Sequence, residues 1–133
     1  MGLFPGKRPD DLGVRNGRLK PAPSSPNAVL SQVTEGYHAI APLRYRATRE
    51  VAMRTLAGIV RDTPRARIIS QTAEYLYAEY ETALLGFVDD VEFWFPPEDG
   101  IIHVRSASRL GSSDLGVNRK RIEAIRARLA AGA

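Results

Sequence analysis

The stretch FVDDVEFWFPPEDGIIHVRSA, residues 87–107, decides the fold. Two segments that alternate between apolar and polar residues flank the turn formers PPEDG at 96–100. Alternation with a period of two is typical of a half-buried β-strand, and a five-residue connection is too short for a parallel crossover. The stretch therefore predicts an antiparallel hairpin of strands 87–95 and 101–107.

The length of the turn also predicts a register, in which Phe95 is opposite Ile101. The other opposed pairs are then Val91 with Arg105, Asp90 with Ser106, and Asp89 with Ala107. A slip of one residue would reverse both faces of a strand, so the register decides which side chains are buried together.

In this register Arg105 and His103 lie on the apolar face of the hairpin, which is formed by Phe87, Val91, Phe93 and Phe95. A guanidinium group on such a face is costly unless it is paired. Asp89, diagonal to Arg105, is the expected partner. The structural interpretation of Arg105 is therefore an ion pair that ties two strands together.

Two more strands are predicted before the hairpin, at 66–72 and 75–81, and their short connections also favour antiparallel pairing. A helix is predicted over 47–63, where apolar residues recur at helical spacing. Thr48 is a suitable N-cap for this helix, and Pro64 ends it.

A second amphipathic helix is predicted from Asn118 onward, with Asn118 as its N-cap and one apolar face. The order helix, four strands, helix predicts an α+β two-layer sandwich. In this architecture one antiparallel four-stranded sheet carries both helices on one face, which buries every apolar stripe.

We expect residues 1–133 to form a single domain, since a chain of 133 residues is long enough to bury a sizeable core. Residues 1–31 are rich in Pro, Gly and other turn formers, which predicts an irregular N-terminal arm. Residues 32–133 are then the globular α+β core.

The composition excludes several classes of protein. The chain has no Cys, so it has no disulfide, no thiolate metal site and no cysteine nucleophile. No apolar run approaches the roughly 20 residues of a membrane-spanning helix. The opening residues MGLFPGKRPDD lack the apolar segment of a secretory signal. We therefore expect a cytoplasmic protein.

The basic residues are almost all arginine: the sequence contains 16 Arg and 3 Lys, with a net charge of +4. Arginine is suited to planar, bidentate contact with carboxylate or phosphate, so this composition permits an anionic partner. A genome of high G+C content would give the same excess of arginine without any such partner.

The polar stretch SRLGSSDLGVNR, residues 108–119, joins the last strand to the second helix. Hydroxyl groups, guanidinium groups and the free N–H groups of a helix N-terminus would meet here, and together they attract anions. The stretch is neither a Walker loop nor a dinucleotide fingerprint. The candidate ligand-binding residues at this junction are Arg105, Ser108, Arg109, Ser113, Asp114, Asn118 and Arg119. Alternatively, Asp114 simply accepts N–H groups of the loop.

Other chemistries have weaker support. His38 and His103 are distant in sequence, and a lone histidine on a strand is usually a packed ring. Asp89 and Asp90 point to opposite faces of one strand, so they cannot act on the same bond. Tyrosines at 75–80 could stack on bases, but acidic residues in the same strands argue against a nucleic acid partner. The sequence predicts no catalytic residue, metal or cofactor.

The segments SSPNAVLSQ, FVDDVEFWF and GIIHVRSASRLGSSDLGVNRKRIEAIR resemble a bacterial and plastid family known as domain of unknown function 1499. The resemblance extends from about Leu12 to the C-terminus, and it implies no activity. The family pattern is matched by Arg105, Ser106, Ser108, Arg109, Gly111, Ser113, Asp114, Gly116, Asn118 and Arg119. Members typically have Cys-Pro-x-Ser-Pro-Asn-Cys where this chain has Ala22 and Ala28, which implies that the two thiols work as a pair that is dispensable here.

The leading interpretation is a noncatalytic domain that binds an anionic small molecule or a protein carboxylate at the junction 105–119. One alternative is a small enzyme, perhaps a hydrolase, that uses Asp114 or His103 as a base. Another is a structural or protein-interaction module. An exposed apolar patch, and a loop whose polar groups are all hydrogen-bonded within the protein, would favour it. The sequence predicts no oligomeric state.

Overall fold

A computed structural model describes residues 4–83 and 85–132. It contains six strands and two helices, which confirms the α+β class. In chain order the elements are β1 (Ala28–Leu30), β2 (Leu43–Arg44), α1 (Arg49–Asp62), β3 (Ala66–Gln71), β4 (Tyr75–Glu81), β5 (Val88–Trp94), β6 (Ile101–Ser108) and α2 (Val117–Gly132).

The sheet is antiparallel and has six strands rather than the predicted four. Its order is β1-β6-β5-β4-β3, and β2 pairs with another part of β6. The two unpredicted strands have only three and two residues, which is too short for a period of two to be recognised. Strand β1 lies inside the segment predicted to be an irregular arm.

Both predicted helices are present, with a correction at the start of the second. Thr48 caps α1, because its side chain accepts a hydrogen bond from the amide of Val51. Helix α2 begins at Val117, so Asn118 is not its N-cap but a fully buried residue of its first turn. Neither helix is long and apolar enough to span a membrane, as far as the chain is described.

The apolar core lies between one face of the sheet and the two helices. Buried residues of α1 and α2, such as Leu56 and Ile122, belong to the same cluster as Phe93 of β5 and Val104 of β6. This arrangement confirms the predicted packing of both helices on one face.

The predicted register of the hairpin is wrong by one residue. The structure pairs Val91 with Ser106 and Glu92 with Arg105, so Arg105 lies on the face opposite the core. The apolar residues of β6 explain the difference. Ile102 and Val104 are fully buried, and burying them on the same face as Phe93 outweighs the preference of a five-residue turn.

The N-terminal arm covers the second face of the sheet. The amide of Gly13 donates to Glu92 of β5 over 2.7 Å, and Arg8 donates to Glu79 of β4 over 2.6 Å. Phe4 stacks on Phe87, with ring centroids 5.5 Å apart. The sheet is therefore covered on both faces, by helices on one and by the irregular arm on the other.

The observed register predicts which residues of β6 are essential for stability. Ile102→Ala should lower the free energy of unfolding by about 3 kcal/mol, because it leaves a cavity in the core. His103→Ala, on the half-buried opposite face, should cost only about 1 kcal/mol. Urea unfolding followed by Trp94 fluorescence measures both values. The reverse order would contradict the register.

Candidate functional site

Asp114 organises the turn that leads into α2. Its carboxylate accepts hydrogen bonds from the amides of Gly116 and Asn118, from the side chain of Asn118, and from the hydroxyl of Tyr37 over 2.6 Å. Burial raises the pKa of Asp114, but the hydrogen bonds from Tyr37 and Asn118 outweigh it and lower the pKa overall. Asp114 thus takes the capping role that was the alternative to ligand binding.

Asn118 connects the turn to β6 and β1. It is fully buried, and its amide nitrogen donates to the carbonyl of Asn27 and to the hydroxyl of Ser108. Its oxygen accepts from the hydroxyl of Ser106 over 2.6 Å. Because these bonds stay inside the protein, Asn118 is an internal connector between helix and sheet.

Asp89 pairs with Arg121 of α2, not with Arg105 as predicted. The two groups are 2.8 Å apart, and both side chains are largely buried. Arg121 also lies over the ring of Tyr80, 4.8 Å from its centroid. The predicted pair is wrong because the one-residue shift in register turns Arg105 toward the arm, whereas Asp89 stays on the face that the helices cover.

The outer residues of the junction are also engaged within the protein. Arg119 donates to the carbonyls of Tyr37 and Ala39 and lies over the ring of Tyr37. Ser113 lies in an exposed turn, where its hydroxyl accepts a long hydrogen bond from the amide of Leu115. Neither residue faces the arm-covered side of the sheet.

Arg109 lies on the arm side of the sheet, in a cluster of buried charges. Its guanidinium group donates to Asp90 through two nitrogens, at 2.9 and 2.8 Å, and to Glu79. Tyr77 also donates to Asp90, and a further N–H group of Arg109 reaches the carbonyl of Pro5. The hydrogen bonds to Asp90 contribute most to raising the pKa of Arg109.

Glu79 is the acceptor shared by three arginines. Arg8, Arg67 and Arg109 all reach its carboxylate, which is 2% exposed. Burial acts to raise the pKa of Glu79, but the hydrogen bonds from Arg8 and Arg109 outweigh burial and lower the pKa to about 2. Glu79 therefore stays ionised at neutral pH, and it ties the arm to β3, β4 and the end of β6.

Arg105 is the buried arginine of this face that has no carboxylate in ion-pair contact among the described residues. Nε donates to the carbonyl of Lys20 over 3.0 Å and Nη2 to that of Pro21 over 3.2 Å. Glu92 is its direct neighbour across the strands, but Oε2 of Glu92 receives Gly13 and Tyr75 instead. Burial lowers the pKa of Arg105.

An open hollow of about 510 Å³ lies between the arm and the end of β6. Its wall contains Lys7, Pro9, Lys20, Pro21, Ala22, Pro23, Asn27, Asp90, Arg105, Ala107, Ser108 and Arg109. We call it the arm hollow. Among the predicted site residues it brings together Arg105, Ser108 and Arg109, whereas Ser113, Asp114, Asn118 and Arg119 lie outside its wall.

Five large apolar side chains are exposed within the described ranges: Phe4, Tyr37, Leu110, Leu115 and Val117. Three of them, Leu110, Leu115 and Val117, lie at the junction of β6 and α2. Leu115 is 86% exposed and has a positive φ of 52°, which is unusual for a residue other than glycine. A smaller hollow of about 200 Å³ lies beside it, lined in part by Phe87, Leu110 and Val117.

The sequence of this chain matches a known protein family. The model of a family described as "Protein of unknown function (DUF1499)" matches residues 18–129. The chain belongs to this family. The match begins at Arg18, six residues after the start of the resemblance seen in the sequence. Comparisons with curated proteins and with solved structures each find no match.

The two bases considered for an enzymatic reaction have other contacts in this DUF1499 protein. His103 is stacked on Trp94 and bonded to the hydroxyl of Ser31 at 2.9 Å, and burial lowers its pKa. Asp114 lies beside the smaller hollow, but both of its oxygens accept hydrogen bonds. Across the described ranges, no group of three or more His, Asp or Glu is placed to hold a metal ion.

Sequence reasoning missed the contribution of the arm. Lys7, Lys20 and the prolines of the arm line the hollow, and Glu79 and Asp90 anchor the charges around it. One signal was available, because Glu79 and Asp90 lie in neighbouring predicted strands near Arg109. Carboxylates that are buried in a sheet are costly unless cations or hydrogen-bond donors of the protein satisfy them.

The lowered pKa of Glu79 predicts a pH-dependent contribution to stability. Its carboxylate, with an ordinary pKa of 4.5, should stabilise the fold above that pH and lose the effect as the pH falls toward 2. Glu79→Gln should therefore lower the free energy of unfolding at neutral pH by roughly 3 kcal/mol, a difference that shrinks with acidification. Urea unfolding across this pH range measures it.

The matched control is Glu81→Gln, on the same strand but outside the cluster. It should leave the pH dependence of stability nearly as in the wild type. If the difference between wild type and Glu79→Gln were the same at every pH, the ionised cluster would not be the source of the stabilisation.

Proposed function

We propose that this protein binds a small anion in the arm hollow without catalysing a reaction. The observation that carries the proposal is the state of Arg105. It is 4% exposed, it lies in the wall of an open hollow, and its described contacts to acceptors are two backbone carbonyls.

The energetics of burial support an anionic ligand. A guanidinium group removed from water loses several kcal/mol of hydration, and two neutral carbonyls replace only part of it. A charge-assisted hydrogen bond to an anion is about twice as strong as a neutral one. An anion beside Arg105 would therefore supply the counter-charge that the described residues do not bring into contact.

The rest of the wall is compatible with this role. Lys7 is exposed and adds positive charge, whereas Lys20 is already paired with Asp11 at 2.8 Å. Ser108 is also part of the wall, but its hydroxyl accepts a hydrogen bond from Asn118 on the helix side of the sheet. The proposal thus narrows the predicted site from the whole junction to its arm side, with Arg105 as the principal contact and Ser108 and Arg109 as neighbours.

The proposal predicts that Arg105→Gln abolishes anion binding. Titrating acetate and inorganic phosphate into labelled protein, followed by NMR chemical shifts of residues around the hollow, measures the affinity. We expect saturable shifts in the wild type and a loss of at least about tenfold in affinity in the variant, since a charged hydrogen-bond donor is removed.

Arg67→Gln is the matched control, because Arg67 lies on the same face and bonds to Glu79 but is not part of the hollow. It should bind the anions as the wild type does. The proposal is wrong if no anion shifts these residues in the wild type, or if Arg67→Gln and Arg105→Gln weaken binding equally.

The exposed side chains of Leu110, Leu115 and Val117 support a second candidate function, self-association. Leu115 protrudes beside a hollow of about 200 Å³ that is lined in part by apolar side chains, so a projection and a cavity lie on one patch. A two-fold symmetric dimer requires such a self-complementary patch, because each copy presents the same surface to the other. The proposed occupant is therefore a second copy of this chain.

Sedimentation velocity over a range of concentrations tests this candidate. The wild type should shift from monomer to dimer as concentration rises, and Leu115→Asp should remain monomeric because a carboxylate would be buried at the contact. Arg54→Asp, on the exposed side of α1, should behave as the wild type. A wild type that stays monomeric at every concentration would exclude self-association.

A further inference from the structure

We infer that the ligand of the arm hollow is a carboxylate carried on a small apolar body, rather than a phosphate. The inference rests on the proposed function, since it concerns the same site. It depends on which donors Arg105 retains, on which wall residues can donate hydrogen bonds, and on the charge already present around the hollow.

The free part of Arg105 fits two oxygen atoms. A guanidinium group has five N–H donors, and the carbonyls of Lys20 and Pro21 occupy one on Nε and one on Nη2. These carbonyls belong to consecutive residues, and Nε and Nη2 are neighbours on one edge of the group. Among the described residues no acceptor takes the two N–H groups on Nη1 or the second on Nη2, and these form a fork that matches a carboxylate in bidentate contact.

The wall offers few further donors, which disfavours phosphate. Phosphate sites commonly surround the ligand with backbone N–H groups of a glycine-rich loop or a helix start. The arm hollow is instead lined by Pro9, Pro21 and Pro23, whose nitrogens carry no hydrogen. Arg109 is no substitute, because its nitrogens already donate to Asp90 and Glu79. A phosphate would find the exposed ammonium group of Lys7 but no ring of fixed backbone donors around its oxygens.

The local charge favours a single negative charge. Lys20 is paired with Asp11, and Arg109 with two carboxylates, which leaves Arg105 as the buried cation to be neutralised. The carboxylate of Asp90 is part of the wall, and Glu92 is adjacent to Arg105 in the sheet. Asp90 is already paired with Arg109, but the buried carboxylate of Glu92 would repel a dianion more strongly than a monoanion, and a monoanion balances Arg105.

The remaining surface and the size of the hollow fit a small organic acid. Pro21, Ala22, Pro23 and Ala107 give part of the wall an apolar character. A volume of about 510 Å³ lies in the range of pockets for small molecules. The short side chains of Ala22 and Ala107 leave room for the apolar part of the ligand, which contributes through the area it removes from water.

The test compares four probes on the full chain by NMR titration: butyrate, inorganic phosphate, neutral butyramide, and a tripeptide that ends in a free valine carboxylate. Butyrate should bind at least about tenfold more tightly than phosphate, because the fork and the apolar wall both contribute. Butyramide should bind at least about tenfold more weakly than butyrate, since it lacks the charge. Tighter binding of the tripeptide than of butyrate would identify a polypeptide carboxylate as the source, and the reverse a free acid.

Two variants make the result specific to the site. Arg105→Lys keeps the charge but removes the fork, so it should narrow the difference between butyrate and phosphate. Ala22→Leu fills the hollow without touching the charge, so it should weaken butyrate more than phosphate. Thermal unfolding of each variant confirms that it is folded, and Arg67→Gln again serves as the control for a lost charge.

The outcomes separate this inference from the proposed function. Binding of phosphate at least as tight as that of butyrate, and dependent on Arg105, would overturn the carboxylate assignment and leave anion binding intact. Butyramide binding as well as butyrate would also overturn it. If no probe binds, or if butyrate binds equally to wild type and Arg105→Gln, both the inference and the proposed function are wrong.

Discussion

The cluster of Glu79, Asp90 and Arg109 allows this sheet to bury its second face. Strands β4 and β5 carry carboxylates on that face, and a buried carboxylate without a cation would be strongly destabilising. Arg109 comes from the end of β6, where the chain leaves the sheet, and Arg8 comes from the arm. The same ions that neutralise the face therefore hold the arm against it, and the arm in turn forms the hollow beside Arg105.

The dense polar stretch between β6 and α2 has two different roles on its two sides. Toward the helices, Asp114 and Asn118 use their hydrogen bonds to start α2 and to join it to β1 and β6. Toward the arm, Arg109 bonds to Glu79 and Asp90, and Arg105 of β6 lies in the wall of the arm hollow. A single strand exit thus places structural hydrogen bonds and a guanidinium group with unused donors within a few residues, because successive strand residues point to opposite faces.

The sequence predicts the elements of this fold better than their pairing. Alternation gave four strands close to their observed bounds, and helical spacing together with Thr48 gave α1. The register was wrong because it relied on turn length, whereas burial of Ile102 and Val104 decides it. The partners of Arg105 and Asp89 were wrong for the same reason. The arm hollow could not be predicted, because an irregular segment without periodicity gives no signal of where it packs.

Comparison of the buried arginines explains why Arg105 differs from the others. Arg109 and Arg121 each contact a carboxylate, and such pairs recover much of the cost of burial. Arg105 has Glu92 as its cross-strand neighbour, but the arm donates the amide of Gly13 to that carboxylate and offers its own carbonyls to the guanidinium group. Backbone groups of the arm thus bond to Arg105 and to one oxygen of Glu92, and within the described residues the two side chains form no ion pair. Because a buried cation without a contacting anion is costly, Arg105 is the residue on which the proposed anion binding depends.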